Sequence, residues 1–200
     1  MVSMDTGYLG LLLHPGAKPP LDPATQKPLI RAQDRIEKLV NDLNASNERI
    51  VIATPVLCEF LVLAENDGPQ YLSEILLQPG FRIQPFDQMA AVELAAMELL
   101  ARGRGGKRSP AASSTPWQKV KFDRQIVAIA KVQQVHTIYS DDADVKAIAE
   151  AAGMKVVPCW ELPVPPSKTP LFDNVPPPTE PELGPPRRLI MVDKGKVETK

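Results

Sequence analysis

The sequence offers little to chemistries that depend on rare side chains. Its 200 residues include two cysteines and two histidines. Cys58 and Cys159 are too few to staple a secreted disulfide scaffold of this size, and Cys58 reads as a small buried core residue. His14 and His136 have no partner at metal-ligand or triad spacing, so both read as structural. Neither sign of charge dominates. A formal net charge of −1 argues against nucleic-acid binding by bulk charge alone. Long hydrophobic runs are missing too. The longest early one, 9–13, is far too short for a transmembrane helix. It follows Asp5 rather than a basic stretch and precedes no small-residue cleavage site, so a secretory signal is not expected. The expected setting is soluble, reducing and cytoplasmic, with no membrane partner. No short repeat occurs, and 44% hydrophobic residues exclude collagen-like, mucin-like and wholly disordered chains.

Proline is abundant, and unevenly placed. Eleven of the 22 prolines fall in 158–200. The stretch 162–186 (LPVPPSKTPLFDNVPPPTEPELGPP) cannot sustain a helix or a central strand. The expected organisation is a folded domain over 1–158 and a proline-rich C-terminal tail over 159–200, extended and polyproline-like. One short apolar run in the tail, 189–192, reads as a terminal strand or a docking segment.

The body alternates strand-like and helix-like stretches. Short β-like runs are Val2–Met4, Ile50–Ala53, Phe81–Gln84, Thr137–Tyr139 and Lys155–Val157. Helical periodicity is plainest over 29–43, where Ile30, Ile36, Leu39, Val40 and Leu43 share a face. It recurs over 56–65, 88–101, 120–132 and 145–152, after which Gly153 stands where a left-handed C-terminal cap belongs. This alternation predicts an α/β fold, a three-layer α/β/α sandwich with a mainly parallel central sheet. In such sheets the ligand crevice lies beyond the carboxyl ends of the strands. Two stretches, 13–28 and 102–117, read as inserted loops. Around the second, Arg102, Arg104, Lys107, Arg108, Lys119 and Lys121 form a six-base run without an acid.

Carboxylates recur at the predicted strand ends: Asp5, Glu59, Asp123, and the run Asp141, Asp142, Asp144. The bland readings are helix starts for Asp5, Asp34 and Asp87, and capping of the last helix by the Asp141–Asp144 run. Glu59 resists that reading, because it lies among Val56, Leu57, Phe60 and Leu61, where an unpartnered charge is costly. Acids gathered without His or Cys make a hard-oxygen site suited to Mg²⁺ or Mn²⁺ rather than zinc. Such cations activate water and clamp a phosphodiester. Asp5-Thr6-Gly7 is also an aspartic-protease signature, but those enzymes are all-β and the helical stretches speak against it.

Four segments occur in order: Met4-Asp5-Thr6, Ala53-Thr54-Pro55-Val56-Leu57-Cys58-Glu59-Phe60, Phe122-Asp123-Arg124-Gln125-Ile126-Val127-Ala128-Ile129-Ala130, and Ser140-Asp141-Asp142-Ala143-Asp144. Together they resemble PIN-domain ribonucleases, in layout the VapC-like toxin type, over roughly residues 1–158. By position Asp5, Glu59, Asp123 and Asp142 match the four acids of that family. Asp144 matches a further acid, Thr6 follows the first acid, and Ser140 matches the usual Thr or Ser. The resemblance implies Mg²⁺- or Mn²⁺-dependent hydrolysis of RNA. Asp5 and Asp142 would be the main metal ligands, with Asp123 and Glu59 completing the shell or orienting water, and Asp144 would bind a second metal. The six bases would contact RNA phosphates. A toxin role implies an antitoxin protein, and the family layout with the apolar stretch 90–100 is compatible with a homodimer. One departure is Gly7, where the family usually carries Asn or Ser. It motivates the alternative of a catalytically inactive PIN-like module that binds RNA or protein.

Overall fold

A computed structural model describes residues 1–103 and 117–166, with backbone alone for 101–103 and 117–120. Five strands form at the predicted bounds: β1 Val2–Met4, β2 Ile50–Ala53, β3 Phe81–Gln84, β4 Thr137–Tyr139 and β5 Lys155–Val157. They make one parallel sheet in the order β3-β2-β1-β4-β5. Val2 lies opposite both Ile50 and Thr137, so β1 sits at the centre. β1 and β2 are buried along their whole length, as expected of parallel strands covered on both faces. Burying Ile50, Val51 and Ile52 stabilises the sheet by roughly 1.5–3 kcal/mol each. The one hydroxyl among them, Ser3 Oγ, donates to the Val51 carbonyl at 3.0 Å, which removes the penalty of a buried polar group.

Among the described residues seven α-helices connect the strands: α1 Thr6–Leu13, α2 Ala32–Ala45, α3 Thr54–Leu63, α4 Gly68–Leu77, α5 Gln88–Gly103, α6 Trp117–Val132 and α7 Ala143–Ala151. α1 packs on α2 and α3, and α3 on α4, while α6 packs between α5 and α7. Right-handed crossovers put these two sets on opposite faces of the sheet. The result is the expected three-layer α/β/α sandwich.

Two helices escaped the periodicity. α1 (TGYLGLLL) is apolar on nearly every side, with Tyr8, Leu9 and Leu11 buried, so it has no polar face to betray a helical repeat. α4 opens with Gly68-Pro69, which reads as a breaker; in the structure Pro69 occupies the first turn, where its missing N–H costs nothing. The predicted helix over 29–43 starts later, at Ala32, because Arg31 takes a left-handed conformation with φ 56°. Ile30 therefore precedes the helix and stays exposed instead of joining Ile36 and Leu43 in the core. Gly153 is left-handed, with φ 85°, and Met154 N–H reaches back to the Ala149 carbonyl at 3.0 Å, closing α7 as its sequence predicted.

One compact unit spans Met1–Pro165. Residues 159–165 thus pack with the domain rather than beginning a separate tail at 159. A 3₁₀ turn, Cys159–Glu161, follows β5. Cys159 and Leu162 are buried. Arg35 of α2 donates to the carbonyls of Trp160 and Leu162, and Arg31 to that of Pro165 at 2.8 Å. The proline-rich stretch from 167 onward, with the run 189–192, lies outside the described residues. Among the described residues no helix is long and apolar enough to cross a membrane.

Candidate metal centre

The strand order reverses at β1: the chain leaves it toward β2 and later returns on its other side as β4. In sheets of this class such a switch point, beyond the carboxyl ends of the strands, is where ligands bind. Asp5 follows β1 directly, and Ser140 to Asp144 follow β4. Asp5 N–H donates to the Tyr139 carbonyl at 3.1 Å, which locks the two strand ends together.

Asp5 is the N-cap of α1, as the bland reading expects, its Oδ1 accepting from Tyr8 N–H at 3.0 Å. Its Oδ2 accepts a short hydrogen bond from Ser140 Oγ. Burial pushes its carboxyl up to about 6, against the lowering effect of the bonds from Ser140 and Tyr8, and the nearby charges of Asp141 and Asp142 push it further. Ser140 Oγ also accepts from Asp142 N–H at 3.1 Å, so one hydroxyl couples Asp5 to the next acid. Asp142 is the N-cap of α7, accepting from the N–H groups of Asp144 at 2.7 Å and Val145 at 3.4 Å. The capping reading holds for this member of the run.

Asp123 is buried on α6, at 6% exposure. It lies one turn before Ile126 and Val127, also buried, so the helix turns this acid inward with its apolar face. Ion pairs between Arg124 and Glu98, and between Lys131 and Glu93 at 2.6 Å, fasten α6 to α5. One carboxylate oxygen each from Asp123, Asp142 and Asp144 lies within 4.8 Å of the others. Three hard oxygen donors at that spacing fit Mg²⁺ or Mn²⁺. Asp5 adjoins this trio through Ser140.

Glu59 is not buried among apolar neighbours, contrary to the argument from its sequence context. Val56 and Phe60 take the inward face of α3 and leave Glu59 at the surface. It is still tied to the site, since Thr6 Oγ1 donates to Glu59 Oε2 at 2.6 Å. Cys58, expected in the core, is exposed for the same reason, whereas Cys159 is buried and its thiol is pushed up to about 12 by burial. Gly7 is exposed, and a Cβ there would lie 3.4 Å from Asp5 Oδ1.

Of the six bases, Arg104, Lys107 and Arg108 lie outside the described residues, and Arg102 and Lys119 belong to helix ends described as backbone alone. Lys121 is exposed on α6. His14 Nδ1 sits 3.3 Å from Tyr71 Oη, and His136 pairs with Glu48, both structural placements. Asp87 caps α5 through Ala90 N–H at 2.9 Å, and Asp34 pairs with Arg31 at 2.6 Å. The bond missed in the sequence is Asp141 Oδ1 accepting from Cys159 N–H at 2.6 Å; a backbone donor leaves no residue-type signal.

No protein-family model matches the sequence, and no curated protein does. Similar solved structures include the following three. VapBC2 from Rickettsia felis, bound to a DNA fragment from its promoter, aligns with TM-score 0.48 and 16% identity over 79% of this chain and 98% of that one. DNA-bound VapBC from Salmonella typhimurium aligns with TM-score 0.46 and 12% identity over 79% and 97%. VapC20 from Mycobacterium tuberculosis, a sarcin-ricin loop cleaving toxin, aligns with TM-score 0.48 and 17% identity over 82% and 100%.

Proposed function

We propose that the chain is a divalent-metal-dependent ribonuclease of the PIN type that hydrolyses phosphodiester bonds in RNA. The observation that carries the reading is the meeting of Asp123, Asp142 and Asp144 within 4.8 Å, beside Asp5, where the sheet order reverses. These acids come from three places far apart in the sequence, Asp142 and Asp144 sharing one. Four ordered segments with the family's acids at matching positions support the same reading.

In this reading Asp123, Asp142 and Asp144 hold Mg²⁺ or Mn²⁺, and Asp5, fixed by Ser140 and Tyr8, completes the set. A bound ion supplies water activation and neutralises charge on the phosphodiester. Glu59, steadied by Thr6, stands at the rim to orient water. Lys121 and the bases Arg102, Arg104, Lys107, Arg108 and Lys119 steer the RNA backbone. As a toxin, the protein would be held inactive by an antitoxin protein covering the acids. A homodimer through α5 accords with its exposed Met89, Val92, Leu99 and Leu100.

The test is cleavage of structured RNA in Mg²⁺ or Mn²⁺ by wild type, Asp5→Asn and Asp142→Asn. Loss of activity in both variants and on chelation is the expected result. Equal activity in all three proteins would sink the assignment. Gly7 favours a second reading, an inactive PIN-like module, because the side chain that the family usually places there would reach Asp5 and here none does. Metal-independent RNA binding, equal in all three proteins and without cleavage, would support that module.

A further inference from the structure

Resting on the nuclease reading above, we infer that Asp141 is a positioning residue: its carboxylate ties the loop after β4 to the turn after β5 and so holds Ser140 and Asp142 in place at the metal centre. The side chains of this loop divide their work. Ser140 Oγ faces Asp5 and the Asp142 N–H. Asp142 Oδ1 caps α7. Asp141 turns toward the C-terminal turn, where its Oδ1 accepts from Cys159 N–H at 2.6 Å.

That donor matters because Cys159 is the first residue of the 3₁₀ turn, and the first N–H groups of a helical turn have no partner within it. The acid therefore satisfies a group the turn cannot satisfy itself. The turn is a firm anchor. Cys159 is fully buried, and Arg35 grips the Trp160 and Leu162 carbonyls on the far side. With Ser140 N–H donating to the Val157 carbonyl at 3.2 Å, the loop is pinned to the β5 end at two successive residues. Removing the Asp141 bond frees the peptide between Ser140 and Asp142, the two residues that couple Asp5 to the metal-binding trio.

The hydrogen bond is the property by which this position holds the loop. A negative charge here adds to the repulsion on Asp5, whereas an amide oxygen would accept the same bond without it. Asp141→Asn is therefore the conservative variant and Asp141→Ala the disruptive one.

The test uses the full chain. Mn²⁺ binding without RNA is followed by electron paramagnetic resonance of the free ion, alongside thermal unfolding and the Mg²⁺ dependence of RNA cleavage. Asp141→Ala is expected to weaken Mn²⁺ binding roughly 10–100-fold, the effect typical of an outer-shell partner. It should shift the Mg²⁺ requirement in parallel, with activity recovered at saturating metal. Asp141→Asn, which keeps the hydrogen bond and loses only the charge, should bind far closer to wild type than Asp141→Ala does. Should the Ala variant lose its unfolding transition, Asp141→Gln, which displaces the acceptor by one methylene, carries the same expectation. Wild-type affinity in a folded Ala variant overturns the proposal, as does an Asn variant as impaired as Ala. A wild-type protein that neither binds Mn²⁺ nor cleaves RNA overturns the nuclease reading itself, and a wild type active beside an unaffected Ala variant overturns only the role of Asp141.

Discussion

The two ends of the central strands treat carboxylates in opposite ways. Before β1, β2 and β4, Glu48 meets the Met1 amine and His136 Nε2, the latter at 3.2 Å. These partners hold its carboxyl below the usual range. Beyond the far ends of β1 and β4, Asp5 and Asp141 are pushed up by burial, and for Asp5 by neighbouring acids as well. A paired surface acid contributes to folding, while clustered acids with raised pKa values oppose it. The second arrangement marks a candidate functional site, since its cost is recovered only when a cation or substrate arrives.

The comparison breaks most sharply on activity. Asp142→Asn or Asp123→Asn should lower RNA cleavage by more than the roughly 100-fold that outer-shell partners command, while Glu48→Gln leaves initial rates unchanged. Metal should reveal it next. At a Mg²⁺ concentration of 100 times its dissociation constant, wild type should gain about 2.7 kcal/mol of stability, read from urea unfolding with and without chelator. Glu48→Gln should keep that gain and Asp142→Asn should lose most of it.

The third test turns on pH in metal-free protein. Folded Asp5 titrates at about 6 against an ordinary value of 3.8, so the native state keeps its proton over a range where the unfolded chain has lost it. Stability therefore falls as pH rises through that window, by roughly 2–3 kcal/mol for this group. Asp5→Asn, which can still cap α1, removes the slope and should be the more stable protein at pH 7 in chelator. Glu48 has the opposite sign and the smallest effect. Its stabilisation is present above the ordinary carboxylate range and lost as pH falls through its lowered pKa. Glu48→Gln should cost less than about 1 kcal/mol at pH 7, and the difference should shrink in high salt.

Much of the frame was legible because β2 carries a continuous apolar run, α2 clear periodicity, and α7 cap signals at both ends, Asp142 and Gly153. What periodicity missed had physical reasons: α1 lacks a polar face, and α4 hides behind Gly68-Pro69. The acids could be singled out because strand ends in a parallel sheet converge, and Asp123, Asp142 and Asp144 do meet. Burial of Glu59 and Cys58 was misjudged from apolar neighbours in sequence. On a helix the residues that share a face are three or four apart, so Val56 and Phe60 took the inward face. The link from Asp141 to Cys159 runs to a main-chain N–H and no side chain announces it.

The central position of β1 also sets a timetable. The hydroxyl that orients Asp5 belongs to Ser140, 135 residues later in the chain, and Asp142 and Asp144 come after that. Bringing such distant segments together is the slow part of folding. A nascent chain still short of β4 holds Asp5 and Asp123 but not the loop that joins them. The acid cluster therefore assembles only once β4 and the loop after it have joined the sheet.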